Sequence, residues 1–313
     1  MSQETATTFL RPPKRLEYSL TGENSDRAVE RGLAEAEWYQ SYVPRATMRK
    51  LLERRDGPAI RDTIVWFGLI IGFAYATYLL WPSWWAVIPY LVYAVLYAST
   101  SDSRWHESSH GTAFRTDWMN SLFYEIASFM VMRESTVWRW SHTRHHSDTI
   151  IVGRDPEIAV PRPPDIKSIV KSFFGLVIYP KYFQHIVVHF FGRMTDEEKT
   201  YIPETEFSKI YVKTRIYVAI YLLVIALAIY TRSFLPVLLI GGVHLFGSWL
   251  LPVYGLTQHA GLAENVLDHR LNCRTVYMNP INPVPVLEHE LSYGASHVPT
   301  RALSRVAETP RGS

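Results

Sequence analysis

The sequence predicts an all-α integral membrane protein, with four transmembrane helices arranged as two hairpins and a helical cap on the cytoplasmic side. Three observations carry that reading. Apolar runs come in two pairs, over 63–81 with 84–100 and over 213–231 with 234–256, each near the roughly 20 residues that cross a bilayer. Basic residues flank the outer ends of both pairs. Most of the 12 histidines gather at those same basic ends. Composition agrees, because 48% hydrophobic and 14% aromatic residues against 19% charged is too apolar for a disordered chain. A mean hydropathy of −0.03 still requires lipid-facing and water-facing stretches to be segregated.

Residues 1–36 read as a polar tail without the apolar core of a signal peptide, since no uncharged run begins before Ile64. From 37 onward the chain reads as one membrane domain ending near 282. Its first part, Glu37 to Arg55, mixes Trp38, Tyr39, Leu51 and Leu52 with Arg45, Arg49, Arg54 and Arg55. That pattern predicts a basic amphipathic helix lying on an anionic membrane face. Trp81, Trp84 and Trp85 at the first hairpin's turn suit an interfacial aromatic belt. Arg61, Arg104, Lys209, Lys213, Arg215, Arg270 and Arg274 all fall on the opposite side. The positive-inside bias then places both termini and residues 100–212 in the cytoplasm, that is, in a bacterial inner membrane. Ser121–Met132 and Ser168–Phe191 are apolar but interrupted by Glu125, or by Lys181, His185 and His189; these read as interfacial or cap helices. The net charge of +3, with no basic run interleaved with aromatics, argues against nucleic acid. One cysteine, Cys273, excludes a disulfide framework and a cysteine-rich metal site.

The chemistry lies in two histidine clusters. In W-H-E-S-S-H-G-T, His106 and His110 are one helical turn apart and share a helix face. In W-S-H-T-R-H-H-S-D, His142, His145 and His146 follow the i, i+3, i+4 pattern. Two such clusters at one membrane depth point to a shared metal, and neutral imidazoles suit iron, zinc or copper. His106, Glu107 and His110 also match the H-E-x-x-H of zinc peptidases, a membrane zinc hydrolase being one alternative; it leaves the second cluster without a role. His185, His189 and His244 lack box spacing and read as interfacial or packing residues. Glu107, Asp148 and Asp155 are the acids placed to orient ligand imidazoles.

These clusters resemble the first two histidine boxes of the membrane fatty-acid desaturase and hydroxylase superfamily. The flanking R-T-D-W-M-N and V-G-R-D-P-E-I-A-V look like a bacterial branch that contains dihydrorhizobitoxine desaturase and a rhizopine-associated hydrocarbon oxygenase. The resemblance spans roughly 40–282. It implies two non-haem irons on the cytoplasmic face of four transmembrane helices, held by His106, His110, His142, His145 and His146. A further ligand after the last span falls on His259 in G-L-T-Q-H-A-G-L, with His269 as its rival. The implied reaction is oxygen-dependent desaturation of a fatty acyl chain or a related small aliphatic, possibly amino-acid-derived, substrate; the superfamily also holds hydroxylases. The chain lacks a haem-attachment motif, a cysteine-rich iron–sulfur run and a G-x-G-x-x-G. Electrons would therefore come from an external ferredoxin, rubredoxin or cytochrome-type donor with its reductase. A catalytically inactive relative or a b-haem carrier are the remaining classes.

The departure is at the end. Where the family has its third box, residues 283–313 carry only His289 and His297, eight apart. Shifting the reading frame by one base from Pro283, with permitted codons, yields R-F-L-Y-W-N-M-N-Y-H-T-E-H-H-M-F-P-R-V-P-Y-H. The missing box then falls where Ser292, Ala295 and Ser296 now stand. The tail from about Pro283 is therefore read as frameshifted, and the chain as given as short of three ligands.

Overall fold

The computed structural model describes residues 17–34, 36–158 and 160–274. The frameshifted tail of the sequence reading lies outside these residues. Among the described residues every regular element is helical and none is a strand. In chain order these are α1 (Glu23–Glu30), α2 (Arg45–Leu51), α3 (Asp56–Leu80), a 3-10 turn (Trp84–Ala86), α4 (Val87–Ala98), α5 (Thr100–Ser109), α6 (Asp117–Met130) and α7 (Ser135–Ser147). There follow α8 (Ile166–Ser172), α9 (Ile178–Phe190), α10 (Asp196–Lys199) and α11 (Glu204–Thr231). The last apolar stretch is broken into α12 (Leu235–Val237), a π-helical turn (Leu238–Gly242), α13 (Val243–Phe246) and α14 (Leu250–His259), and α15 (His269–Asn272) closes the set.

Three helical stretches are long and apolar enough to cross a membrane: 45–80, 204–231 and 235–259. Their outward faces are apolar and bare, with Ile71 66% and Leu223 68% exposed. Such faces suit contact with hydrocarbon rather than water. The expected span over 84–100 forms as the 3-10 turn and α4, whose 12 residues rise only about 18 Å at 1.5 Å each. It packs on α3, and the chain then runs through Ser99 directly into α5.

Trp66 and Ile70 of α3, Tyr90, Tyr93 and Tyr97 of α4, and Val243 of α13 make the core of this region. The phenols also solve a hydrogen-bonding problem. A π-turn disturbs the regular backbone ladder, and an unpaired carbonyl in hydrocarbon is costly. Tyr90 donates to Leu238 O at 3.2 Å and Tyr93 to Leu239 O at 2.6 Å. Behind α13 the backbones meet so closely that a Cβ on Gly247 would collide with the Ala94 carbonyl. Only glycine fits there, and the contact seats α4 and the last apolar stretch at fixed depth below the cap.

Two expectations for the N-terminal part are corrected. The tail is folded over 17–34: Ala28 and Leu33 are buried against Ile151, and Tyr18 donates to Glu264 at 2.7 Å. The polar composition hid this because two small apolar contacts suffice to dock α1. The amphipathic helix expected over Glu37–Arg55 is only Arg45–Leu51. Trp38 instead stacks on His269 at 4.3 Å and donates its indole N–H to Ser147 O at 2.9 Å, which holds the preceding segment in non-helical form.

Candidate metal centre

α5 follows α4 with only Ser99 between them, and Ser99 Oγ donates to Gly247 O. One turn of α5 separates His106 from His110, which caps its C-terminus. Gly111, at φ +64°, takes the left-handed position that ends such a helix, and Thr112 N bonds back to Glu107 O at 3.1 Å. α7 begins at a carboxylate cap. Glu134 accepts from Thr136 N at 3.0 Å and Val137 N at 2.8 Å, satisfying orphan N–H groups at the positive end of the helix. That start sets the phase that turns His142, His145 and His146 inward. Trp138, one turn earlier, lies flat against His142 with centroids 4.4 Å apart.

The two clusters meet. Ligand atoms of His106, His110, His142 and His146 all lie within 4.8 Å of one another. Nε2 of His142 is 3.1 Å from Nε2 of His110 and 2.8 Å from that of His146, close to the spacing of nitrogens that share one ion about 2.1 Å away. His145 forms a second lobe, its ring 5.7 Å from His142 and 5.3 Å from His259. All six predicted histidines are therefore contiguous across the lobes.

The far nitrogens decide whether a metal fits. His142 Nδ1 lies 2.8 Å from Glu157, His145 Nδ1 2.8 Å from Asp155, and His259 Nδ1 2.8 Å from Asn272 O. An acceptor on Nδ1 fixes the tautomer and leaves the Nε2 lone pair free, as metal-ligating histidines require. Burial holds His142 well below its usual pKa and lowers His110 too, so both are neutral donors. At His145 burial pulls downward but the Asp155 charge outweighs it, lifting the imidazole to about 9; a metal there must displace a proton. This donor set fits a resident metal.

The predicted acids divide. Asp155 orients His145 and also accepts from Ile150 N and Glu157 N, each at 2.8 Å. Asp148 instead pairs with Arg144 at 2.7 Å and Arg154 at 3.0 Å. Glu107 is buried and pairs with Arg104 at 3.7 Å. Sequence reasoning missed Glu157. It accepts from His142 and Ser141 and pairs with Arg133 at 2.8 Å. Its signal was there: Glu157 follows Asp155 by two residues in R-D-P-E, and one hairpin of acids serves two histidines of one helix. His269 stacks on Trp38, away from the lobes' common focus. His244 packs between Tyr97 and Tyr179, and His185 and His189 both face Glu198.

A cavity of about 420 Å³ opens on the cluster, lined by His106, His142, His145 and His259 and, beyond them, Asp102 and Tyr179. That size is within the range of small-molecule pockets. Residues 82–289 match the model of the family described as fatty acid desaturase. No curated protein matches the chain.

Proposed function

The chain belongs to the fatty acid desaturase family, and from that premise we propose that it is an oxygen-dependent desaturase of an aliphatic substrate. The substrate is a fatty acyl chain or a small, possibly amino-acid-derived, aliphatic. The observation that carries the reading is the convergence of the two boxes, with acids or a carbonyl on the outer nitrogens of His142, His145 and His259. His106, His110, His142 and His146 would hold one iron, and His145 and His259 would contribute to a second. Bound there, a non-haem iron pair supplies the oxidising power to remove hydrogen from an unactivated C–H bond with dioxygen and external electrons. The protein's own part is to place the substrate and exclude water. The cavity wall meets the cluster at His142 and Trp138, so a reacting carbon must sit beside that buried edge. Glu157 and Asp155 hold the imidazoles still while charge at the site changes.

The remaining parts of the reading are proposals of the same kind. α4 is a fourth, short span that completes two hairpins, the cap and both termini facing the cytoplasm of a bacterial cell. A ferredoxin, rubredoxin or cytochrome-type donor docks on the basic cytoplasmic side. The bacterial branch with rhizobitoxine-type desaturases is the nearest chemistry, through its flanking motifs. The third box lies in the shifted frame after Asn282, so the chain as given is short of ligands and turns over poorly.

The test is mass spectrometry of lipid and amino-acid extracts from cells with and without the gene, in both reading frames of the tail. A compound that loses two hydrogens under air, and not without oxygen, supports the proposal. A product that gains one oxygen atom identifies a hydroxylase, and no oxygen-dependent change in either frame contradicts the reading.

A further inference from the structure

Histidines without box spacing make a second cluster in the same cavity wall. His185 and His189 lie one turn apart on α9, and Glu198 belongs to the short α10. Ligand atoms of the three lie within 4.8 Å of one another. None belongs to the histidine boxes, and the cavity reaches all three.

The Glu198 carboxylate is the informative group. Its side chain is 0% exposed, with His189 at 2% and His185 at 21%. Oε2 is satisfied, accepting from His189 Nε2 at 2.9 Å and from Thr195 N and Oγ1 at 3.0 and 2.8 Å. Oε1 accepts no hydrogen bond. His185 Nδ1 is 2.8 Å away, within ion-pair range but off the line of a hydrogen bond. A fully buried carboxylate oxygen without a directed donor is costly, and it is the oxygen that faces the two imidazoles. The capping box explains half of this carboxylate; the other half calls for a cation. Nitrogen-to-oxygen separations of 2.8–2.9 Å are a few tenths of an ångström below the spacing around a tetrahedral ion with ligands near 2.0–2.1 Å. Small rotations of three side chains would admit one.

We propose that His185, His189 and Glu198 form a mononuclear zinc site, separate from the histidine-box centre, that ties α9 to α10 in the cavity wall. Two imidazoles and one carboxylate are a donor set zinc accepts with one position left for a small ligand, and zinc outcompetes ferrous iron at such nitrogen-oxygen sites. Tyr182, one turn before His185 on α9, faces Arg133 at 5.4 Å, and Arg133 pairs with Glu157. Fixing α9 therefore also fixes the wall against which His142 is oriented.

The test is zinc binding by the full-length chain in detergent, by equilibrium dialysis against Zn²⁺ with metal analysis. The background has His106, His142 and His146 changed to Ala, so that the box site is lost. One zinc per chain should remain, and His185→Ala or Glu198→Gln should each weaken it at least tenfold. In the otherwise unaltered chain, His185→Ala at its half-buried position should remove one zinc and leave bound iron unchanged, with helicity confirmed by circular dichroism. Zinc binding indifferent to both substitutions overturns the site. Zinc and iron lost together on His185→Ala in a folded chain also overturn it, because the two clusters would then be one centre.

Discussion

Glu157→Gln keeps the side chain's shape and removes its charge, so it isolates what the carboxylate does. Two interactions change at once. Arg133, one-fifth exposed, loses its charged partner, and hydrogen bonds to charged groups contribute about 1.5–3 kcal/mol each. His142 loses a charged acceptor on Nδ1, and outer partners of metal-bound histidines typically contribute 10–100-fold in metal affinity. Burial and the Arg133 and His142 groups beside it act oppositely on Glu157, and the neighbours win, holding the carboxyl well below its ordinary range. The carboxylate is therefore charged at every pH at which the protein is studied. The expected result is a metal affinity lowered by about 10–100-fold and a chain destabilised by about 1.5–3 kcal/mol, while Asp148→Asn, whose carboxylate serves Arg144 and Arg154, leaves metal affinity near normal. Competitive metal titration and thermal melting read both. Unchanged affinity in Glu157→Gln, in a chain that melts normally, would refute the argument that Glu157 positions His142.

Changing His142, His145 or His146 singly to Ala should abolish turnover and lower bound iron by more than any change at an outer acid; retained turnover in one variant removes that residue from the centre. A reporter fused after Arg154 should register as cytoplasmic, and a periplasmic signal breaks the paired-hairpin topology. Deleting one base at the Asn282–Pro283 junction should raise bound iron and restore oxygen-dependent turnover; full activity in the chain as given, with that tail encoded in the source DNA, points instead to His289 and His297. Burial, with a smaller push from Asp155, lifts the Cys273 thiol to about 12, so at pH 8 about one molecule in ten thousand is thiolate, against about a quarter for an ordinary thiol. Alkylation at pH 8 should accelerate on the order of a thousand-fold on denaturation; equal rates before and after contradict the burial.

The boxes were legible because helical spacing is a local property. His106 with His110, and His142 with His146, needed only 3.6 residues per turn to share a face. That the two faces meet depends on the cap at Glu134 and the glycine at 111, and both signals also stand in the sequence. Asp155 was found and Glu157 was not, because which acid turns inward depends on a loop whose geometry has no period. The paired histidines of α9 were visible but looked idle, since Glu198 arrives from an element four residues long. The last span read as one apolar run, and its π-turn is set by contacts with Tyr90 and Tyr93, which no local pattern announces. Trp38 looked like a lipid anchor by composition, and its partner Ser147 lies 109 residues away.

The account stands on metal held by the converged boxes. The direct measurement is iron per chain in the purified full-length protein, compared with a variant in which His106, His110, His142 and His146 are Ala. Iron bound by the unaltered chain and lost from the folded variant is the predicted result. Iron content that the four substitutions do not change, or haem in its place, would contradict the account.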